Sequence, residues 1–342
     1  MKAVIDVDIL KIGVVGAGSW GTTLANLLAK KGYSVTLWVY ETDLAARMAK
    51  SRINDLYLDG FSLSPNLIFT PQLHEAVTGR QLLLLVSPSQ VMRHVLKQLQ
   101  PNLDKNCLLV SAAKGIENNT LQLMSEVLEA ELGTEVKSRC AFLSGPSFAK
   151  EVAQEQPTAV AVAAENLDVA DRVQEIFSTD YFRVYTNRDV IGVEIGGALK
   201  NVIALAAGVA DGLGFNYNAR AALITRGLVE IARLGMAMGA VESTFAGLAG
   251  MGDLVLTCTG DLSRNRMVGM ELGRGRKLDE ILNRMQMVAE GVKTTLSAYQ
   301  LANKLGVKMP ITEQMYHILY EDKDPKLAVA DLMQRALTSE EE

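Results

Sequence analysis

The stretch Ile12-Gly-Val-Val-Gly16-Ala-Gly18-Ser-Trp-Gly21 decides the fold. An apolar run of strand character, Ile12–Val15, enters a turn with glycine at its first, third and sixth positions, and a segment of helical period opens near Ser19. The first glycine allows the tight turn, the second lets a pyrophosphate approach the backbone, and the third lets helix pack on strand. The helix amino terminus then offers N–H donors to an anion. In this strand, turn and helix context the pattern reads as dinucleotide binding, with Gly16, Gly18 and Gly21 as cofactor residues.

Outward from that turn, short apolar runs recur at Val35–Val39, Leu82–Val86, Leu108–Ser111 and Ala141–Ser144, separated by helical segments at Trp20–Lys31, Ser89–Leu99, Thr120–Leu132 and Asp168–Phe177. Strands so uniformly apolar are covered on both faces. The expectation is an α/β fold: a Rossmann-type, doubly wound, mainly parallel sheet in a first domain, residues 1–189. After Asp189 strand-like runs give way to Gly, Ala, Leu and Met at helical spacing, so residues 190–342 read as an all-α domain. Within it, Gly196–Gly214 is small and apolar on nearly every face and reads as a central buried helix. It is interrupted by Lys200 and Asp211, and no apolar run approaches the length of a bilayer span.

A chain of 342 residues suits two domains. Its 34 basic and 39 acidic side chains leave a net charge of −5, which argues against a nucleic-acid partner, since that affinity rests on many cationic contacts. The three cysteines, Cys107, Cys140 and Cys258, form no CxxC pair and read as reduced thiols; with no export signal at the amino terminus, the expected location is the cytoplasm. His74, His94 and His317 have no metal-ligand spacing, so no metal is expected.

Ligands of open parallel sheets bind beyond the carboxyl ends of the strands. Those ends carry the glycine turn, Glu41, Ser87-Pro88, Lys114 and Gly145-Pro-Ser147. Glu41, 20 positions after Gly21, suits the adenosine ribose hydroxyls of NAD, whereas Arg47 on the following helix keeps NADP open. Lys114 falls at the site edge by topology.

Lys200 stands in the apolar helix two residues after Ala198 and directly before Asn201. Burial, with a second cation such as Lys114 nearby, would lower its pKa toward neutrality and fit it for proton transfer. The competing reading is a structural ion pair with Asp211, Glu194 or Asp253. Downstream, Gly247-Leu-Ala-Gly-Met-Gly-Asp253 and Ser263-Arg264-Asn265-Arg266 combine close backbone approach, an acid and guanidinium forks, the makings of a phosphate-monoester cup.

Taken together, Gly16–Gly21, Ala113-Lys114-Gly115, Ser144-Gly-Pro-Ser-Phe-Ala-Lys150, Gly197-Ala-Leu-Lys200-Asn201 and Gly252-Asp253 with Ser263-Arg264-Asn265 closely resemble the bacterial NAD(P)-dependent glycerol-3-phosphate dehydrogenases, in order from about Ile12 to Pro310. Phe182-Arg-Val-Tyr185, Ala222 to Gly227, Val288-Ala-Glu290-Gly291 and Met309 to Glu313 extend the match. The resemblance implies reversible reduction of dihydroxyacetone phosphate to sn-glycerol 3-phosphate, a precursor of glycerophospholipids. It implies Lys200 as proton donor and acceptor. It implies Lys114, Gly145, Ser147, Asn201, Asp253, Ser263, Arg264 and Asn265 as substrate contacts. Ser19, Trp20, Lys114, Ala149, Arg264, Val288 and Glu290 are the implied cofactor contacts.

Two departures stand out. Tyr40-Glu41 replaces the basic or histidine residue often found after the second strand, so a preference for NADP is not inherited, and Asn216 replaces a usual glycine. The rival enzymatic reading is a dehydrogenase of a hydroxy acid on the same architecture; the rival of another class is a non-catalytic nucleotide sensor. The apolar helical domain suits a homodimer.

Overall fold

The computed structural model describes residues 10–285, 289–337 and 339–340. The chain forms two compact units, Met1–Ala113 with Met124–Val190, and Lys114–Leu123 with Ile191–Glu342.

In the first unit the described residues form an eight-stranded sheet: β1 (Lys11–Val15), β2 (Ser34–Trp38), β3 (Leu67–Thr70), β4 (Leu82–Leu85), β5 (Leu108–Ser111), β6 (Cys140–Ser144), β7 (Thr158–Ala163) and β8 (Phe182–Asn187), in spatial order β3-β2-β1-β4-β5-β6-β7-β8. Neighbours are parallel except β6 and β7. The expected mainly parallel, doubly wound sheet is thus present. The order reverses between β1 and β4, and such a switch point is where open α/β sheets bind ligands. β1, β2 and β4 carry almost wholly buried side chains, Ile12, Val14, Val35, Leu37, Leu82 and Leu84 among them, because helices such as Ser19–Lys30 cover both faces. β3, β7 and β8 extend the five strands expected; β8 shows the alternation of a half-covered strand.

The second unit is helical around Val190–Gly212, a 23-residue helix whose buried side chains, from Ile195 to Val209, lie in one apolar cluster with Leu234, Leu254, Val268 and Ala298. By length and hydropathy (1.6) it could cross a membrane, contrary to the expectation that Lys200 and Asp211 would break it up, but 89% of its most apolar window is packed inside the protein. It is the core helix that the small apolar residues anticipate.

Lys114–Leu123, expected in the first domain, belongs to this second unit. Ile116 and Leu123 are fully buried in its apolar cluster and close an antiparallel bridge. The helix expected from Thr120 therefore begins only at Met124: Leu121 has φ 59°, a left-handed conformation that no α-helix accommodates.

Candidate active site

On the first unit the glycine turn leaves β1 as the sequence requires. Gly16 has φ +116°, a Cβ on Gly21 would lie 1.9 Å from the Gly16 carbonyl oxygen, and a Cβ on Gly18 would meet nothing within 4 Å. Turn, packing and open approach are thus divided among the three glycines, and the first N–H groups of the helix Ser19–Lys30 lack intrahelical partners. This edge fits a dinucleotide pyrophosphate. Trp20 packs its ring on Phe182, centroids 6.3 Å apart. Ala149 opens a short helix and its carbonyl accepts from Thr23 Oγ1 at 3.2 Å. Gly145 has φ +144° with Val160 against it, and Ser147 Oγ donates back to the Gly145 carbonyl at 2.9 Å.

Val15 pairs in register with Trp38, so the turn Tyr40-Glu41 leaves the sheet at the same edge as the glycine loop. Tyr40 is largely exposed. Glu41 accepts from Tyr57 Oη at 2.7 Å. Arg47 donates to Asp55 through Nε at 2.8 Å and to Asp43 at 2.6 Å.

The second unit gathers Lys114, Lys200 and Asp253. Asp253 is 1% exposed; Lys200 Nζ donates to its Oδ1 and Lys114 Nζ to its Oδ2, each at 2.6 Å. The meeting follows from glycine. Gly196, one turn before Lys200, lies so close to the Ala249 carbonyl that a Cβ there would sit 2.5 Å away. The Gly-rich segment can therefore press against the helix. A π-helical turn, Leu248–Gly252, then hands over to the helix Asp253–Thr259. Thr257, four residues on and so on the same helix face, accepts from Lys200 Nζ at 2.9 Å. Thr257 is one of the hydroxyl residues in the Gly247–Arg266 motif, and its spacing from Asp253 is the sequence signal that places it here.

Burial pushes the Lys200 ammonium down from 10.5 to about 8, and Lys114 adds to this, while Asp253 pulls the other way. Burial alone would raise the Asp253 carboxyl, but Lys114 and Lys200 hold it below its ordinary range. Lys114 and Lys200 thus share one buried carboxylate. Of the three acids considered for Lys200, Asp253 is the partner; Asp211 binds Arg220 and Arg266 instead.

Beside this cluster, Ser263 caps the helix Arg264–Gly273 by accepting from the Arg266 N–H. Asn265 Nδ2 donates to Asn201 Oδ1 at 2.9 Å and its Oδ1 accepts from the Gly291 N–H at 3.0 Å. Asn265 thus orients Asn201 and ties down the start of the helix Glu290–Leu305. The Arg264 guanidinium makes no hydrogen bond among the described residues, and burial lowers its pKa, opposed by Glu290. A desolvated guanidinium with its fork uncommitted suits an anionic ligand. Arg266, by contrast, is occupied by Asp211 and Asp261. Val288 lies outside the described residues. Among those described, no three His, Cys, Asp or Glu side chains are grouped as metal ligands.

A switch-point sheet edge carrying a glycine turn of this geometry defines the dinucleotide-binding class of α/β proteins. Residues 11–170 match the family model of the NAD-dependent glycerol-3-phosphate dehydrogenase N-terminus, and residues 189–330 that of its C-terminus. The chain is 65% identical over 331 residues, covering 97% of it and 99% of the relative, to a glycerol-3-phosphate dehydrogenase [NAD(P)+] of Syntrophotalea carbinolica. It is 64% identical to that of Geobacter metallireducens, covering 95% and 97%. The crystal structure of glycerol-3-phosphate dehydrogenase from Coxiella burnetii superposes with a TM-score of 0.91 at 41% identity, covering 96% of this chain and 99% of that one. The chain belongs to the NAD-dependent glycerol-3-phosphate dehydrogenase family, and is an NAD(P)-dependent oxidoreductase.

Proposed function

We propose that the protein interconverts dihydroxyacetone phosphate and sn-glycerol 3-phosphate, with Lys200 as general acid and base, and supplies glycerophospholipid synthesis. The observation that carries the reading is the buried Lys200, lowered to about 8 and hydrogen-bonded to Asp253 and Thr257. When bound, the nicotinamide supplies or accepts the hydride. In reduction, Lys200 Nζ gives its proton to the oxygen developing at C2; in oxidation, it takes the proton of the C2 hydroxyl. A group near pKa 8 performs both at physiological pH.

Asp253 and Thr257 hold the Lys200 ammonium in place, and Lys114 adds positive charge where the substrate oxygen gains negative charge. Arg264 clamps the phosphate, so binding of that remote group orients the reacting carbon. Asn201, steadied by Asn265, and Ser263 complete the polar wall; Gly145 and Ser147 are further substrate contacts. Gly16, Gly18, Ser19, Trp20, Gly21, Tyr40, Glu41 and Ala149 hold the dinucleotide, joined by Lys114, Arg264, Val288 and Glu290. The apolar second unit supports assembly as a homodimer, and the reduced, unpaired cysteines support a cytoplasmic location.

Lys200→Ala tests the central role. Turnover should fall by about 10²- to 10⁴-fold, the usual worth of a positioned acid-base group, while the dinucleotide Kd, read by tryptophan fluorescence, stays put. Retained turnover would remove Lys200 from the chemistry.

A further inference from the structure

Glu41 does not hang free at its sheet edge. Asn54, fully buried, donates through Nδ2 to the Ala17 carbonyl at 2.9 Å, within the glycine turn, and to Thr22 Oγ1 at 2.8 Å on the following helix. Its Oδ1 accepts from the Tyr57 N–H at 3.0 Å, and Tyr57 Oη reaches Glu41 Oε1 at 2.7 Å. One chain of hydrogen bonds therefore runs from the loop that holds the pyrophosphate to the carboxylate at the tip of β2. Burial, and then Glu41, push the Tyr57 hydroxyl up to about 12, so it stays a donor. With Oε1 engaged, Glu41 keeps its second oxygen for another donor.

The cation that would neutralise this edge is withheld. Arg47 is gripped through Nε and Nη2 by Asp55 at 2.8 and 3.1 Å, and through Nη1 by Asp43 at 2.6 Å. A 2′-phosphate would thus meet a fixed carboxylate rather than a guanidinium, whereas a ribose 2′-hydroxyl would find an acceptor.

We propose that Tyr57 is a positioning residue for cofactor choice: by fixing Glu41, with Arg47 sequestered by Asp43 and Asp55, it makes this enzyme select NAD over NADP. The proposal rests on the dinucleotide reading of the glycine turn.

The test is calorimetric Kd for NAD⁺ and NADP⁺ with the full-length protein, its Tyr57→Phe and its Glu41→Ser variants. The wild type should prefer NAD⁺ by tenfold or more. Tyr57→Phe should weaken NAD⁺ by about three- to tenfold, the worth of one hydrogen bond, and leave NADP⁺ nearly unchanged. Glu41→Ser should tighten NADP⁺. Equal wild-type affinities would overturn the proposal while leaving the dinucleotide reading intact, and no binding of either would overturn that reading itself. If Tyr57→Phe weakens both dinucleotides equally, Tyr57 is merely structural and the proposal fails; if that variant does not fold, the Glu41→Ser ratio decides.

Discussion

Replacing Asp253 by asparagine tests the electrostatic core of the site, because a single carboxylate, 1% exposed, holds two ammonium groups at 2.6 Å. Burial pushes Lys200 down and Asp253 opposes it, so the balance rests at about 8. An opposite charge at contact distance is worth about 1–3 pKa units, so in Asp253→Asn the Lys200 pKa should fall to about 5–7. Reduction needs the ammonium form, present below the pKa and lost above it. At about pH 7.5 the protonated fraction drops from about 0.76 with a pKa of 8 to about 0.03 with a pKa of 6, a loss of about 25-fold from protonation alone.

The assay is the pH dependence of kcat/KM for dihydroxyacetone phosphate, followed by consumption of NADH absorbance. The wild-type limb should fall as pH rises through about 8, and the Asp253→Asn limb should fall at lower pH, with activity partly recovered in acid. In the oxidative direction the limb rises instead, and shifts the same way. Leaving two cations without their buried partner should also destabilise the fold by up to about 3–5 kcal/mol, less whatever Lys200 recovers by losing its proton. A limb that stays at its wild-type position, or moves to higher pH, would refute the assignment of Lys200 as the titrating acid held by Asp253.

Arg264→Ala should raise the KM for the phosphorylated substrate by about ten- to hundredfold, the worth of a charged hydrogen-bonding pair, with a smaller effect on kcat; steady-state kinetics at fixed NADH checks it, and an unchanged KM would take Arg264 out of the phosphate clamp. Glu230, 2% exposed, accepts from the Ile311 and Thr312 N–H groups, and burial outweighs these donors to raise it from 4.5 to about 7. The folded carboxyl therefore keeps its proton in a window where the unfolded one has released it, so stability should decline as pH rises from 4.5 to 7, by up to about 3 kcal/mol. Urea unfolding at about pH 5 and about pH 8 should show that decline in the wild type and not in Glu230→Gln; equal slopes would count against it.

The sequence by itself determined what depends on short-range pattern. The glycine turn after β1, the five strands from Ile12 to Ser144, and the switch to helices after Asp189 were legible because strand period, glycine geometry and helical spacing act within a few residues. β7 was not, since Thr158–Ala163 alternates β-branched residues with alanine and so carries little contrast between apolar and polar positions, and its antiparallel pairing with β6 is made across the sheet. Leu121 in the left-handed region, which delays the following helix to Met124, left no mark in composition.

At the site, the residue types at positions 114, 200 and 253 were readable, but their meeting was not. Asp253 was one of three acids that could have answered Lys200, and only packing at Gly196 against Ala249 selects it, while Arg220 and Arg266 take Asp211. Arg47 looked available for a 2′-phosphate until Asp43 and Asp55 closed on it, and Tyr57 carried no signal at all, because its hydroxyl meets Glu41 only once Asn54 has pinned the intervening turn. Local chemistry is written in residue order; which charge finds which partner is settled by long-range packing, where burial makes each pairing count.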